Sequence, residues 1–192
     1  MKVLPRDFYL REPQKVAIAL LGKLLVRTYK GVRLSGLIVE TEAYLGPEDP
    51  ASRARKGGNL AKVMRSDVGV ALIYGVHRRW LFNVVAHEEG GVGAVLIRAI
   101  HPIEGLEVMR SLRGVERDID LTNGPGKLTE ALKIDKGFHG APLYLPLSKL
   151  RIEEGVNVDP GRVAASHRIG VSEDLPIPLR FYVRGDPYIS RR

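Results

Sequence analysis

The sequence predicts an α+β fold: a single domain with a mostly antiparallel, twisted β-core, flanked by helices and carrying a protruding β-hairpin. Three observations lead there. The strand candidates are joined mainly by short loops rather than by regular helical crossovers. Lys30-Gly31 punctuates two runs rich in Val, Leu and Ile, the pattern of a hairpin. Neither an internal repeat nor a low-complexity linker divides the 192 residues, so residues 1–192 are expected to fold as one unit.

Taken in order, Pro13 followed by Val16, Ala17, Leu20 and Leu21 predicts a short helix, with proline in its first turn and Gly22 near its end. Residues 23–45 supply the hairpin around Lys30-Gly31. Further strands are expected at 70–74, 80–85, 94–100, 142–147 and 179–184, and helices at 104–113 and 127–132. The segment 179–184 alternates cleanly, with Leu179, Phe181 and Val183 facing inward.

Composition narrows the function. Apolar residues make up 44% and charged residues 27%, a globular balance that argues against disorder. Cysteine is absent, which excludes disulfides, thiol nucleophiles and thiolate zinc sites and fits an intracellular protein. Lys and Arg total 30 against 22 Asp and Glu, a net charge of +8 that suits an anionic partner such as nucleic acid. The early apolar run 16–21 is too short to cross a bilayer, the N-terminus does not read as a targeting signal, and no membrane association is expected. The histidines at 77, 87, 101, 139 and 167 show no metal-binding spacing, and no GxSxG motif occurs.

Candidate chemistry begins at Val39-Glu40-Thr41-Glu42-Ala43-Tyr44. With a period of two, Glu40, Glu42 and Tyr44 share one strand face and Val39, Thr41 and Ala43 the other. Two carboxylates on one face repel, which keeps one protonated unless a cation sits nearby; the alternative is a solvated face. Arg98 interrupts an otherwise apolar strand, where a guanidinium needs an anionic partner unless it points outward from an edge. An Arg98–Glu42 pairing, direct or through water, resolves both anomalies.

Residues 51–66 carry Arg53, Arg55, Lys56, Lys62 and Arg65 with no acidic residue, and read as a basic loop suited to phosphates or as a solvated surface. His77-Arg78-Arg79-Trp80 combines cations and an aromatic ring at a hairpin tip, able to probe a DNA groove or stack on a base; its plainer reading is a charged turn with Trp80 buried. Asn123-Gly124-Pro125-Gly126-Lys127 precedes a helical pattern and offers free backbone N–H groups and a lysine to a phosphate, without the Walker spacing.

Several of these blocks coincide with one family. The chain resembles the alkyladenine (3-methyladenine) DNA glycosylases in 20–27 (LLGKLLVR), 39–49 (VETEAYLGPED), Ile73-Tyr74-Gly75, Leu96-Ile97-Arg98-Ala99, 123–128 (NGPGKL), Arg168-Ile169-Gly170 and 178–185 (PLRFYVRG), in the family's order and across nearly the whole chain. The resemblance implies a monofunctional enzyme that flips a damaged purine into a pocket and hydrolyses its N-glycosidic bond. On the matching positions Glu42 would activate the attacking water, with Arg98 and the backbone carbonyl of Ile169 holding it. Tyr44 would stack on the flipped base, and Asn83 would stand where the family screens out guanine. Tyr74 matches the wedge tyrosine that fills the vacated gap, and Lys127 sits at the phosphate-binding turn. No lysine stands in the nucleophile position, so Schiff-base chemistry is not expected.

Two departures stand out. Arg53 replaces the family's usual histidine after Asp49-Pro50-Ala51-Ser52, which bears on the preferred lesion. The hairpin also differs in length, so anchoring on Asn83 moves the wedge to His77-Arg78-Arg79 and leaves Tyr74 or Trp80 as the second stacking aromatic. The functional expectation is initiation of base excision repair on alkylated or deaminated purines in double-stranded DNA. The alternative is a DNA-binding relative that has lost catalysis or narrowed its specificity. The resemblance further implies a monomer acting without metal or cofactor. The expected location is the cytoplasm, near the nucleoid, in a prokaryote, or the nucleus in a eukaryote.

Overall fold

The structure, a computed structural model, describes residues 2–190. Its elements run α1 (Pro13–Ala19), β1 (Leu24–Tyr29), β2 (Val32–Tyr44), α2 (Gly58–Met64), β3 (Ala71–Val76), β4 (Arg79–Val85), β5 (Ala94–Glu104), α3 (Leu106–Arg113), α4 (Pro125–Ala131), β6 (Leu150–Glu153), β7 (Val163–Ser166) and β8 (Arg180–Val183), with short 3-10 turns between. Together they form the α+β arrangement expected from the short connections: one antiparallel sheet, curled, with helices against it.

The strand order is β3-β4-β5-β2-β1-β6, with β8 joining β2 and β7 joining β8. The 13-residue β2 is the axis of this sheet. One edge pairs along its length with β5; the other pairs first with β1, then with β8 through Glu40↔Tyr182, Thr41↔Phe181 and Glu42↔Arg180. The β2–β5 register shifts on either side of Glu40, an irregularity of the kind that re-aims side chains near functional sites.

Period-two alternation separates two faces. Val39 and Ala43 of β2, Val84 of β4, and Val95, Ile97 and Ala99 of β5 enter the main core, joined by Val16, Ala17 and Leu20 around α1 and Leu128 and Ala131 of α4. The Thr41 hydroxyl donates to the Ala17 carbonyl at 2.9 Å and pins α1 to β2. On the other face Leu72, Val85 and Ala94 form a smaller cluster with Ala54 and Met64, and Tyr44 and Tyr74 border it.

Both sharp hairpins use two-residue turns with two left-handed residues, the geometry that matches strand twist. Between β1 and β2 these are Lys30 (φ 48) and Gly31 (φ 81); between β3 and β4 they are His77 (φ 47) and Arg78 (φ 64), with no glycine.

Four segments depart from the sequence expectation. Residues 142–147 form no strand: beyond a bridge from Pro142 to Val70 and backbone hydrogen bonds of Leu143 to Gly69 and Ile152, pairing stops, because Pro142 and Pro146 lack N–H donors and Leu145 and Leu147 face solvent. Helix α2 occupies part of the basic stretch read as a loop. Strands β6 and β7 were not anticipated.

Candidate active site

The site lies on the face of the sheet turned away from the main core. Leu96 and Arg98, the even-numbered residues at the centre of β5, reach a cavity of about 640 Å³. Its walls come from Tyr44 on β2, Tyr74 on β3, residues 50–53 and 56, the 124–127 turn and residues 169–172.

Glu42 is fully buried at the edge of this cavity. Its Oε1 accepts from the Ile169 backbone N–H at 2.7 Å and lies 3.2 Å from Nη1 of Arg98, while Oε2 accepts from the Tyr44 hydroxyl at 2.8 Å. The pairing with Arg98 expected from the sequence is therefore direct. Burial pushes the Glu42 carboxyl above its usual pKa; Arg98, the Ile169 N–H and the Tyr44 hydroxyl pull against that rise, and Glu40 adds to it. The group is an acid that ionises later than an ordinary glutamate, surrounded by donors that favour its charged form.

Glu40 completes a buried network. Its Oε1 accepts from Nε of Arg98 at 3.0 Å and from Nε of Arg180 at 2.7 Å, and its Oε2 from the Ser190 N–H at 2.5 Å. Arg98 thus bridges the two acids, with a further bond from Nη2 to the Ser190 hydroxyl at 3.2 Å.

The Ile169 amide is fixed by its neighbour. Arg168 is buried, forms a bidentate pair with Asp49 at 2.6 and 2.7 Å, bonds Asp174 at 2.6 Å and donates to the Ala43 carbonyl at 3.0 Å. Burial opposes its charge, but the hydrogen bonds to Asp49 and Asp174 prevail and hold its pKa above the usual value. Its guanidinium also lies 4.8 Å from the centre of the Tyr44 ring. The Ile169 N–H thus donates to Glu42, a contact separate from the water-holding role that the resemblance implied for the carbonyl of the same residue.

Other anticipated residues fall on either side of the cavity wall. Tyr74 lines it together with Tyr44, and the Arg53 guanidinium lies 4.9 Å over the Tyr74 ring. Asn83 is buried outside the wall and donates its side-chain N–H to the Leu72 carbonyl at 3.0 Å. Trp80 is not part of the cavity: it pairs with Gly75, one residue out of phase with Tyr74, and so lies on the opposite face of the hairpin beside Leu112 and Lys133. It is 36% exposed, so the plainer reading of a buried Trp80 is corrected as well. At the tip His77 reaches the rim, while exposed Arg78 lies on the Trp80 side. Gly124, Gly126 and Lys127 line the wall, with Nζ of Lys127 held by Asn123 at 2.8 Å. A side chain at Gly126 would come 2.6 Å from Cδ of Arg79, so glycine lets the hairpin and this turn approach. Lys56 joins the wall, whereas Arg55 is exposed outside it.

Residues 7–187 match the family described as methylpurine-DNA glycosylase (MPG). The chain belongs to the methylpurine-DNA glycosylase family. It is similar over nearly its full length to proteins named "Putative 3-methyladenine DNA glycosylase". With that of Aeropyrum pernix it shares 46% identity over 99% of this chain and 94% of the relative. With that of Salinibacter ruber the figures are 44%, 99% and 97%, and with that of Methanocella arvoryzae 43%, 100% and 98%.

In this methylpurine-DNA glycosylase family member the sequence reading did not assign site positions to Glu40, Arg180, Ser190, Arg168, Asp49 or Asp174. Their signal is weak in one dimension, because Arg180 and Ser190 lie 140 and 150 residues from Glu40, and Arg168 lies 119 from Asp49. Among the described residues no group of three His, Asp or Glu side chains is arranged to hold a metal ion, and no helix is long and apolar enough to cross a membrane.

Proposed function

We propose that the chain is a monofunctional DNA glycosylase that extrudes alkylated or deaminated purines from duplex DNA and hydrolyses their N-glycosidic bond. The observation that carries this reading is the buried Glu42, bonded to Arg98, Ile169 and Tyr44 beside a cavity of about 640 Å³, roomy enough for an extruded nucleotide, in a chain of this family.

A carboxylate oxygen has two acceptor positions, and Oε2 takes a single donor, from Tyr44, among the described residues. The free position suits a water proton. Glu42 takes that proton as the water oxygen bonds to the anomeric carbon. The bond from that carbon to the base nitrogen breaks with its electron pair leaving on the base. The developing sugar cation is stabilised by the carboxylate, and Arg98 and the Ile169 peptide orient the water. Tyr44 and Tyr74 form the stacking walls for the extruded base. The His77-Arg78 tip enters the gap it leaves, and Lys127, Gly124, Gly126, Lys56 and Arg55 meet backbone phosphates. Asn83 acts from behind the wall on the choice of base. The protein works as a monomer, away from membranes.

Glu42→Gln is the decisive variant. It removes the base but keeps the shape, so single-turnover release of 3-methyladenine, 7-methylguanine, 1,N6-ethenoadenine or hypoxanthine falls by at least a thousandfold while duplex binding persists. Release at the wild-type rate would end the reading. Binding by the wild type without any release would instead make the chain a non-catalytic DNA-binding relative.

A further inference from the structure

The titratable side chains that line the cavity are the tyrosines 44 and 74 and the cationic or basic groups of Arg53, Lys56, His77, Arg79, Arg98 and Lys127; among the described residues no carboxylate lines it. Three of these six are held by other side chains. Arg98 is tied to Glu40 and Glu42, Arg79 to Glu130 at 2.9 Å, and Lys127 to Asn123. Arg53 differs from all of them in lying over the ring of a cavity-lining tyrosine, Tyr74, and no carboxylate among the described residues pairs with it. A guanidinium over an aromatic face draws on the same negative quadrupole that would attract a cationic base stacked on that ring. It also carries a fork of N–H donors and no acceptor.

The geometry points to Arg53 as a specificity-determining residue that favours neutral purines with a hydrogen-bond acceptor at the six position over purines that carry a formal positive charge. This inference rests on the glycosylase reading above. The two classes separate chemically. Hypoxanthine is neutral and presents a carbonyl to the guanidinium, whereas 7-methylguanine and 3-methyladenine are cationic as nucleosides and meet a like charge at the stacking wall. Undamaged guanine shares the carbonyl but is held in a full Watson–Crick pair, which makes its extrusion costlier than that of a mispaired base.

The test uses the full chain in single-turnover release from two duplexes, one with hypoxanthine and one with 7-methylguanine, each rate divided by spontaneous release from the same DNA. The ratio of the two enhancements cancels any loss of folded protein. It is expected to favour hypoxanthine in the wild type, to move at least tenfold toward 7-methylguanine in Arg53→Gln, and to stay near wild type in Arg53→Lys, which keeps the charge. An unchanged ratio in Arg53→Gln, or an Arg53→Lys that behaves like Arg53→Gln, overturns the inference and leaves the glycosylase reading standing. Failure of the wild type to release either base overturns the inference together with the reading beneath it.

Discussion

At the scale of single residues, the environment of Glu42 sets when it ionises, and so when it would serve as the proposed base. Burial raises its pKa and three donors oppose the rise, so removing one donor moves it further up. Tyr44→Phe keeps the ring and deletes the hydroxyl that donates to Oε2. The acid limb of the single-turnover pH–rate profile is then expected to shift to higher pH by about one unit, because a hydrogen bond to a charged group is worth that much. A shift to lower pH would contradict the assignment of Glu42 as the titrating base. Glu40 plays a different part, since it holds two buried guanidinium groups together. Glu40→Gln is expected to lower the unfolding free energy by about 3–5 kcal/mol, read from urea denaturation, as uncompensated buried charge does. The pairing of Glu42 with Arg98 was legible because an arginine in an apolar strand demands an anion. The role of Glu40 was not, because its other partners, Arg180 and Ser190, lie 140 and 150 residues along the chain.

Among the elements, legibility follows length and periodicity. The helix at Pro13 and the strands β1 to β5 carry enough residues for a repeat to register. Strands β6 and β7, four residues each, do not, and β6 is held partly by the ion pairs of Glu153 with Arg33 and Arg151. Helix α2 buries Ala61 and Met64, a sparse apolar face behind Gly57-Gly58 and amid basic residues. The β3–β4 hairpin was anticipated, but the position of its turn had to come from the register. That register puts Tyr74 within the cavity wall and leaves His77-Arg78 at the apex. Left-handed backbone at residues with a side chain costs about 1–2 kcal/mol each. Replacing the pair by Asn-Gly is expected to raise stability by about 1–2 kcal/mol in urea denaturation and to slow base release from duplex DNA. Equal release rates would show that the apex side chains do not enter the helix.

For the molecule as a whole, the +8 charge and the cations around the cavity mouth bear on affinity rather than on fold. Duplex binding is expected to weaken linearly on a logarithmic salt scale, with a slope near −0.9 for each phosphate neutralised, and Lys56→Ala and Lys127→Ala are each expected to reduce that slope by about one phosphate. A slope that neither variant changes would move the DNA to another surface. The fold class and the approximate location of the site could both be read before any coordinates, because the short connections and the paired acids are local properties. The closure of the site could not, since it depends on which distant strand meets β2.

That dependence reaches into biosynthesis. Glu42 receives its amide donor from a position 127 residues further along, and the partner of Glu40 on β8 arrives later still. A chain emerging from the ribosome therefore holds Tyr44 and Arg98 well before the last donor to Glu42 and the last partners of Glu40 appear. Products that stop short of β8 leave Glu40 without Arg180 and Ser190, and the buried network is expected to close only as the final strand docks.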